Sequence, residues 1–176
     1  MRKHLFIGAL MATLVLPAGA TWATPSFDVG FSPEGAAQQR VIRLLAEAQT
    51  SIRLMGYSFT SPDVVRALMA ARRRGVDVRV VVDEKGNRSK ASLAAMNRVV
   101  NAGIPLRTND RYPILHDKMI VTDGQNLQVG SFNFTRRARA NSENVLVVRD
   151  VPALAQIYLA HWQSRWDEGA DWTSSY

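Results

Sequence analysis

The 176-residue chain has no cysteine, which excludes both thiol chemistry and a disulfide framework, whatever the redox state around it. Histidine is nearly as scarce. Of the three in the chain, His4 lies in the N-terminal stretch, leaving His116 and His161. Two imidazoles without a thiolate fall short of a zinc cage, and no metal or cofactor is expected. Acid is short relative to base: 15 Asp and Glu stand against 22 Lys and Arg, a formal charge of +7. Such a surface suits an anionic partner, nucleic acid or lipid headgroups. No long apolar run is present either, because the stretch from Leu5 to Leu16 is too short to span a bilayer well. Linkers, low-complexity tracts and internal repeats are missing as well.

What the N-terminus does have is Arg2 and Lys3, then that apolar stretch, then the small residues Ala18-Gly19-Ala20 and Ala23. This order reads as a secretory signal peptide over residues 1–23, so a periplasmic or secreted protein is expected. An uncleaved membrane anchor is the rival reading. The leader holds no acid, so losing Arg2 and Lys3 brings the charge from +7 to +5. The remaining residues, 24–176, suffice for one domain with a real core and are too few for two.

Phe27–Phe31 reads as a short strand, followed by Ser32 as a helix cap and Pro33 in the first helical position. That helix runs to about Ala48 and buries Val41, Leu44, Leu45 and Ala48 at helical spacing. A strand from Ser51 to Phe59 follows. A second Ser-Pro start, Ser61-Pro62, opens a helix stopped by Gly75. The β-branched stretch VDVRVVVD is a strand, and a helix from Ser89 closes on Gly103. Beyond a hairpin come a strand at Glu143–Val148 and a helix from Val151 to about Glu168. Strands alternating with helices predict a single-domain α/β sandwich, its central mixed, mostly parallel sheet flanked by helices.

The hairpin, ILHDKMIVTDGQNLQVGSFNFT, places polar groups where a half-buried sheet wants apolar ones. Alternation puts His116 and Lys118 on one face. If Asp123 to Asn126 form the turn, Thr122 pairs with Leu127, Ile120 with Val129, Lys118 with Ser131 and His116 with Asn133. Opposed residues share a face, so imidazole, ammonium, hydroxyl and carboxamide would cluster there as a phosphate site requires. The competing reading is a solvated hairpin with an ordinary Asp-Gly turn.

HDKMIVTD followed by GSFN resembles the HxKx4D…GSxN signature of the phospholipase D superfamily, with His116, Lys118, Asp123, Gly130, Ser131 and Asn133 in register. The resemblance extends to NSENVLV and HWQSRWDEGADW, and is strongest to that superfamily's small single-motif bacterial endonucleases. It implies a phospholipase D-like fold and a catalytic set of His116, Lys118, Asp123 and Glu143. In that reading His116 attacks phosphorus to give a phosphohistidine, while a second such histidine protonates the leaving oxygen and then activates water. Lys118, Ser131 and Asn133 would bind the phosphate oxygens. Glu143 would stand against the imidazole. Asp123 reads as a structural acid, tying down the turn or a neighbouring motif, rather than a proton carrier.

The chain carries one HxK pair, since His161 is followed by Trp162 and Gln163. The second histidine is therefore expected from another copy, in a homodimer with its active site at the two-fold interface. His161 itself reads as a packing or surface residue, and Trp162 and Trp166 as core. Arg72, Arg73 and Arg74 read as solvated groups at a helix end. Arg136, Arg137 and Arg139 directly follow the hairpin and are candidates for contacts to flanking phosphates. The expected activity is metal-independent, non-specific hydrolysis of DNA or RNA, with no stable membrane insertion. A lipid-directed enzyme using the same residues and a nucleic-acid-binding module without turnover are the alternatives.

Overall fold

In the computed structural model, residues 24–174 are described; the expected leader, 1–23, lies outside them. Eight strands form one sheet: β1 (Ser26–Ser32), β2 (Ser51–Gly56), β3 (Asp77–Asp83), β4 (Leu106–Asn109), β5 (Lys118–Thr122), β6 (Asn126–Gly130), β7 (Glu143–Arg149) and β8 (Ala170–Asp171). Their order across the sheet is β1-β7-β6-β5-β2-β3-β4-β8. The β-branched run of β3 is buried on both sides from Val80 to Asp83, as a central strand covered on both faces must be.

Four helices cover the sheet: α1 (Ala36–Glu47), α2 (Pro62–Arg73), α3 (Lys90–Asn101) and α4 (Pro152–Asp167). The first three lie on one face, where Leu44, Leu45, Leu68 and Val99 pack on Leu54, Val80, Val82, Ile120 and Val147. α4 stands alone on the other, setting Trp162 and Trp166 against Met55, Val81, Met119 and Leu127. The two indoles stack at 5.1 Å, so they are core, as their spacing suggests. A single helix cannot cover a sheet this wide. Phe27, Val29 and Phe31 of β1 are left 69%, 49% and 56% exposed, an uncovered apolar strip along the edge strand.

The α/β class and mixed sheet are as expected, but the sheet is not mostly parallel in its pairing. Only β2·β3 and β3·β4 are parallel ladders; the other five are antiparallel. The hairpin explains this, because β5 returns beside β2 and β6 and β7 follow as a meander out to β1. Ser61 caps α2 as its Ser-Pro start suggests, accepting from Val64 N, and Ser89, read as the start of α3, is its cap and accepts from Ser92 N. Ser32 does not cap α1. It ends β1 opposite Glu143, and its buried hydroxyl donates to Ala138 O at 3.0 Å, while α1 begins after a left-handed Gly35. The short strands β4 and β8 had no recognisable periodicity.

Since β5 runs against β2, and β7 against β1 and β6, the starts of β5 and β7 gather beside the ends of β1, β2 and β6. His116, Lys118, Ser131 and Asn133 of the motif gather at this end of the sheet, the usual place for a site in an open α/β fold.

Candidate active site

His116 is exposed and lies two residues before the first residue of β5. Its neighbour Leu115 is 2% exposed and donates its backbone N–H to Asp83 Oδ2 at 2.8 Å, so the histidine stands on an anchored segment. Lys118, the first residue of β5, is 9% exposed, and its ammonium donates to the His116 carbonyl at 2.6 Å. Burial pushes that ammonium below its ordinary pKa of 10.5, against the opposing pull of the Asp117 and Glu143 carboxylates. A partly desolvated cation with a single hydrogen bond among the described residues has strong capacity left for an anion.

The hydroxyl and carboxamide come from the turn that leaves β6. Gly130 has φ 152, and a Cβ there would lie 2.2 Å from Asn144 O, so only glycine allows this approach to β7. Phe132 and Phe134 then drive into the core at 1% and 0% exposure, which turns the alternate residues, Ser131 and Asn133, the other way. Ser131 Oγ accepts from Asn144 N at 3.0 Å and from Asn144 Nδ2 at 3.3 Å, leaving its O–H free to donate. Asn133 is half-buried; its Oδ1 has no partner among the described residues, and its Nδ2 is the group that can donate to an anion.

The hairpin register differs from the expected one by one residue. Thr122 pairs with Asn126, Ile120 with Gln128 and Met119 with Val129. Asp123 (φ 56) and Gly124 (φ 67) are both left-handed in a turn closed by Gln125 N donating to Thr122 O at 3.2 Å. That geometry leaves room for a shorter loop than the four residues assumed. His116, Ser131 and Asn133 therefore lie beyond the paired strands. They are gathered by anchored loops rather than by cross-strand opposition.

Asp123 is not part of this cluster. It sits at the other end of β5, where its carboxylate accepts from Gln49 N, from Thr50 N at 2.7 Å, from Ser51 N at 3.0 Å and from Thr50 Oγ1 at 3.0 Å. Burial raises its carboxyl, but the backbone N–H groups outweigh it and hold the pKa below 3.8. The residue is removed from the catalytic set: it locks the loop between α1 and β2. Glu143, expected against the imidazole, makes its hydrogen bond with Asn141 Nδ2 at 3.0 Å, and it stays close enough to influence Lys118. His161 is half-buried and faces Asp117 Oδ1 at 3.3 Å.

The arginines occupy the turn that follows. Arg136 and Arg139 line an open groove of about 1040 Å³ between α1 and α2. Arg139 Nη1 lies 3.9 Å from Asp63 Oδ2, while Arg137 is exposed outside the groove lining. Arg74, read as solvated, reaches across to Leu45 O and Ala48 O, both at 3.1 Å, and so closes the end of α1. Sequence reasoning missed Tyr57, whose ring stands 4.9 Å from that of His116, and Asp83, buried at 1%. A carboxylate closing the apolar run Val80–Val82 was the available signal for Asp83. Among the described residues no three His, Asp or Glu side chains converge as metal ligands.

The family of the cardiolipin synthase, PLD-like domain matches residues 41–166. Phospholipase D of Rickettsia conorii is 31% identical over 136 residues, 77% of this chain and 66% of that protein. Mitochondrial cardiolipin hydrolase of Xenopus laevis is 32% identical over 145 residues, 82% of this chain and 64% of that protein. The chain thus spans slightly less than two thirds of the length of these curated relatives. The crystal structure of Nuc, a phospholipase D family member from Salmonella typhimurium, superposes with a TM-score of 0.85 at 53% identity, covering 86% of this chain and 100% of that one.

Proposed function

The chain belongs to the phospholipase D superfamily, and from that premise we propose that it is a phosphodiester hydrolase acting on DNA or RNA with little sequence preference. The observation that carries the reading is an exposed imidazole and a partly desolvated ammonium, gathered at the same end of the sheet as a half-buried carboxamide whose Nδ2 can donate to an anion: His116, Lys118 and Asn133. The neutral imidazole attacks phosphorus in line, forming a P–N bond and expelling the alkoxide. Lys118, Ser131 and Asn133 take up charge on the phosphoryl oxygens. Water then attacks the phosphohistidine and returns the imidazole. Glu143 acts through Lys118 and the surrounding field.

Each turnover needs a second imidazole to protonate the leaving oxygen, and His161 is engaged with Asp117. We infer that the second copy supplies its own His116, in a homodimer closed on a two-fold axis. The apolar strip of β1 supports this, since Phe31 faces Asn144 in the ladder and Asn144 holds Ser131. An uncovered apolar surface thus runs up to a site residue. Arg136 and Arg139 favour a polyanionic substrate whose flanking phosphates follow the groove. Export to the periplasm or medium is likewise our reading of the leader.

A second reading, hydrolysis of phospholipid headgroups, draws on Ile114, 54% exposed two residues before His116, and on the names of the relatives. Purified protein assayed against plasmid DNA, RNA and phosphatidylcholine vesicles separates the two. Nucleic acid should be cut and the vesicles left intact, and the reverse pattern would sink the nuclease reading.

A further inference from the structure

Tyr57 takes no part in the chemistry above, yet its placement is determined from several sides. It follows Gly56, the last residue of β2, and its half-buried ring lies against both reactive groups. The ring centroid is 4.9 Å from that of His116, with the planes inclined at 60°, and 5.5 Å from Lys118 Nζ. The tilted ring pair is a favoured aromatic geometry, and the ammonium lies within cation–π reach. The ring also rests on the turn after β3. A Cβ at Gly86 would come within 2.7 Å of Tyr57 Cε2, so the turn fits against the ring only because that residue is glycine.

The same turn fixes the backbone of both partners. Asn87, 1% exposed, donates to Tyr57 O at 2.6 Å and accepts from Phe59 N at 2.8 Å. Asp83 accepts from Gly86 N at 2.5 Å through one oxygen and from Leu115 N at 2.8 Å through the other. One buried turn, Asp83 to Asn87, therefore holds the segment before His116 and the segment around Tyr57 in a single frame.

We propose that Tyr57 is a positioning residue that orients the His116 imidazole for attack and keeps the Lys118 ammonium beside it. This rests on His116 being the nucleophile. The function lies in the flat π surface, not in the hydroxyl, for which no hydrogen bond is seen among the described residues. An aliphatic side chain would fill the space but would not hold the imidazole's angle.

The test is steady-state hydrolysis of a chromogenic phosphodiester by wild type, Tyr57→Phe, Tyr57→Leu and His116→Ala. Because misplacing a reacting group by on the order of 1 Å costs about 100-fold, Tyr57→Leu should lose about 10- to 100-fold in kcat. Its KM should stay within about threefold, and Tyr57→Phe should keep kcat within about threefold of wild type. In the wild-type protein, nuclear Overhauser contacts should join the Tyr57 and His116 ring protons, a measurement that needs no variant to fold. Wild-type kcat in a folded Tyr57→Leu, or a Tyr57→Phe as impaired as Tyr57→Leu, would overturn the proposal. Missing ring contacts would do the same. A fully active His116→Ala would instead remove the nucleophile assignment beneath it.

Discussion

The acid of the family motif can be separated from catalysis by removing it. Asp123 makes its hydrogen bonds with residues 49–51, at the end of β5 away from His116. Asp123→Ala would strand donors on Gln49, Thr50 and Ser51. A hydrogen bond to a charged group contributes about 1.5–3 kcal/mol, but Gln49 and Thr50 are exposed and water replaces much of what they lose. The left-handed φ of 56° adds a cost for alanine that asparagine largely escapes. Together these give a loss of about 2–4 kcal/mol for Asp123→Ala and about half that for Asp123→Asn. At about 2–4 °C per kcal/mol for a chain of this size, Tm should fall by about 4–16 °C for alanine.

The pH dependence has a definite sign. The folded carboxyl titrates below its ordinary value of 3.8, so the stability that its charge contributes is complete above that value. It is lost as pH falls through the lower folded pKa. The gap between wild type and Asp123→Asn should therefore hold from neutral pH to about 5, begin to shrink near 4 and close only below the lowered folded pKa. Thermal unfolding followed by circular dichroism reads this directly, alongside phosphodiester turnover well below both melting points. An Asp123→Asn protein with wild-type Tm but little activity would refute the structural assignment and return this acid to the mechanism.

Phe31→Glu, at an exposed position of the edge strand, should leave the monomer folded. It should shift sedimentation from dimer to monomer and remove activity together, whereas a monomer with undiminished turnover would exclude a shared site. Mixed dimers of His116→Ala and wild type should lack full activity. Changing Arg136 and Arg137 together to alanine should lower the slope of log affinity for duplex DNA against log salt by about 1 to 2, and an unchanged slope would make them ordinary surface residues. Hydrolysis should survive EDTA, because lysine and two hydrogen-bond donors carry the electrostatic work; loss on chelation with recovery in magnesium would overturn the mechanism.

The sequence by itself determined what depends on neighbours along the chain. Apolar spacing located the helices, Ser61 and Ser89 marked two of their starts, and Gly75 and Gly103 ended two of them with left-handed φ of 93° and 75°. The HxKx4D…GSxN spacing marked His116, Lys118, Ser131 and Asn133, because that chemistry demands those residue types close together. Strand order and ladder direction were decided only by the tertiary structure, since a parallel or antiparallel neighbour buries the same apolar face. It also set the hairpin one residue from the expected register, through two left-handed turn residues whose conformation no hydrophobic pattern reports. The frame around the site was equally hidden. Asn87 reaches Phe59 and Tyr57 across 28 and 30 residues, and Asp83 reaches Leu115 across 32. Ser32, which carries a cap's local pattern, bonds instead to a carbonyl 106 residues away. A polar side chain satisfies its hydrogen bonds with whatever the fold brings near, and burial makes that partner obligatory; its identity is a property of the packed molecule.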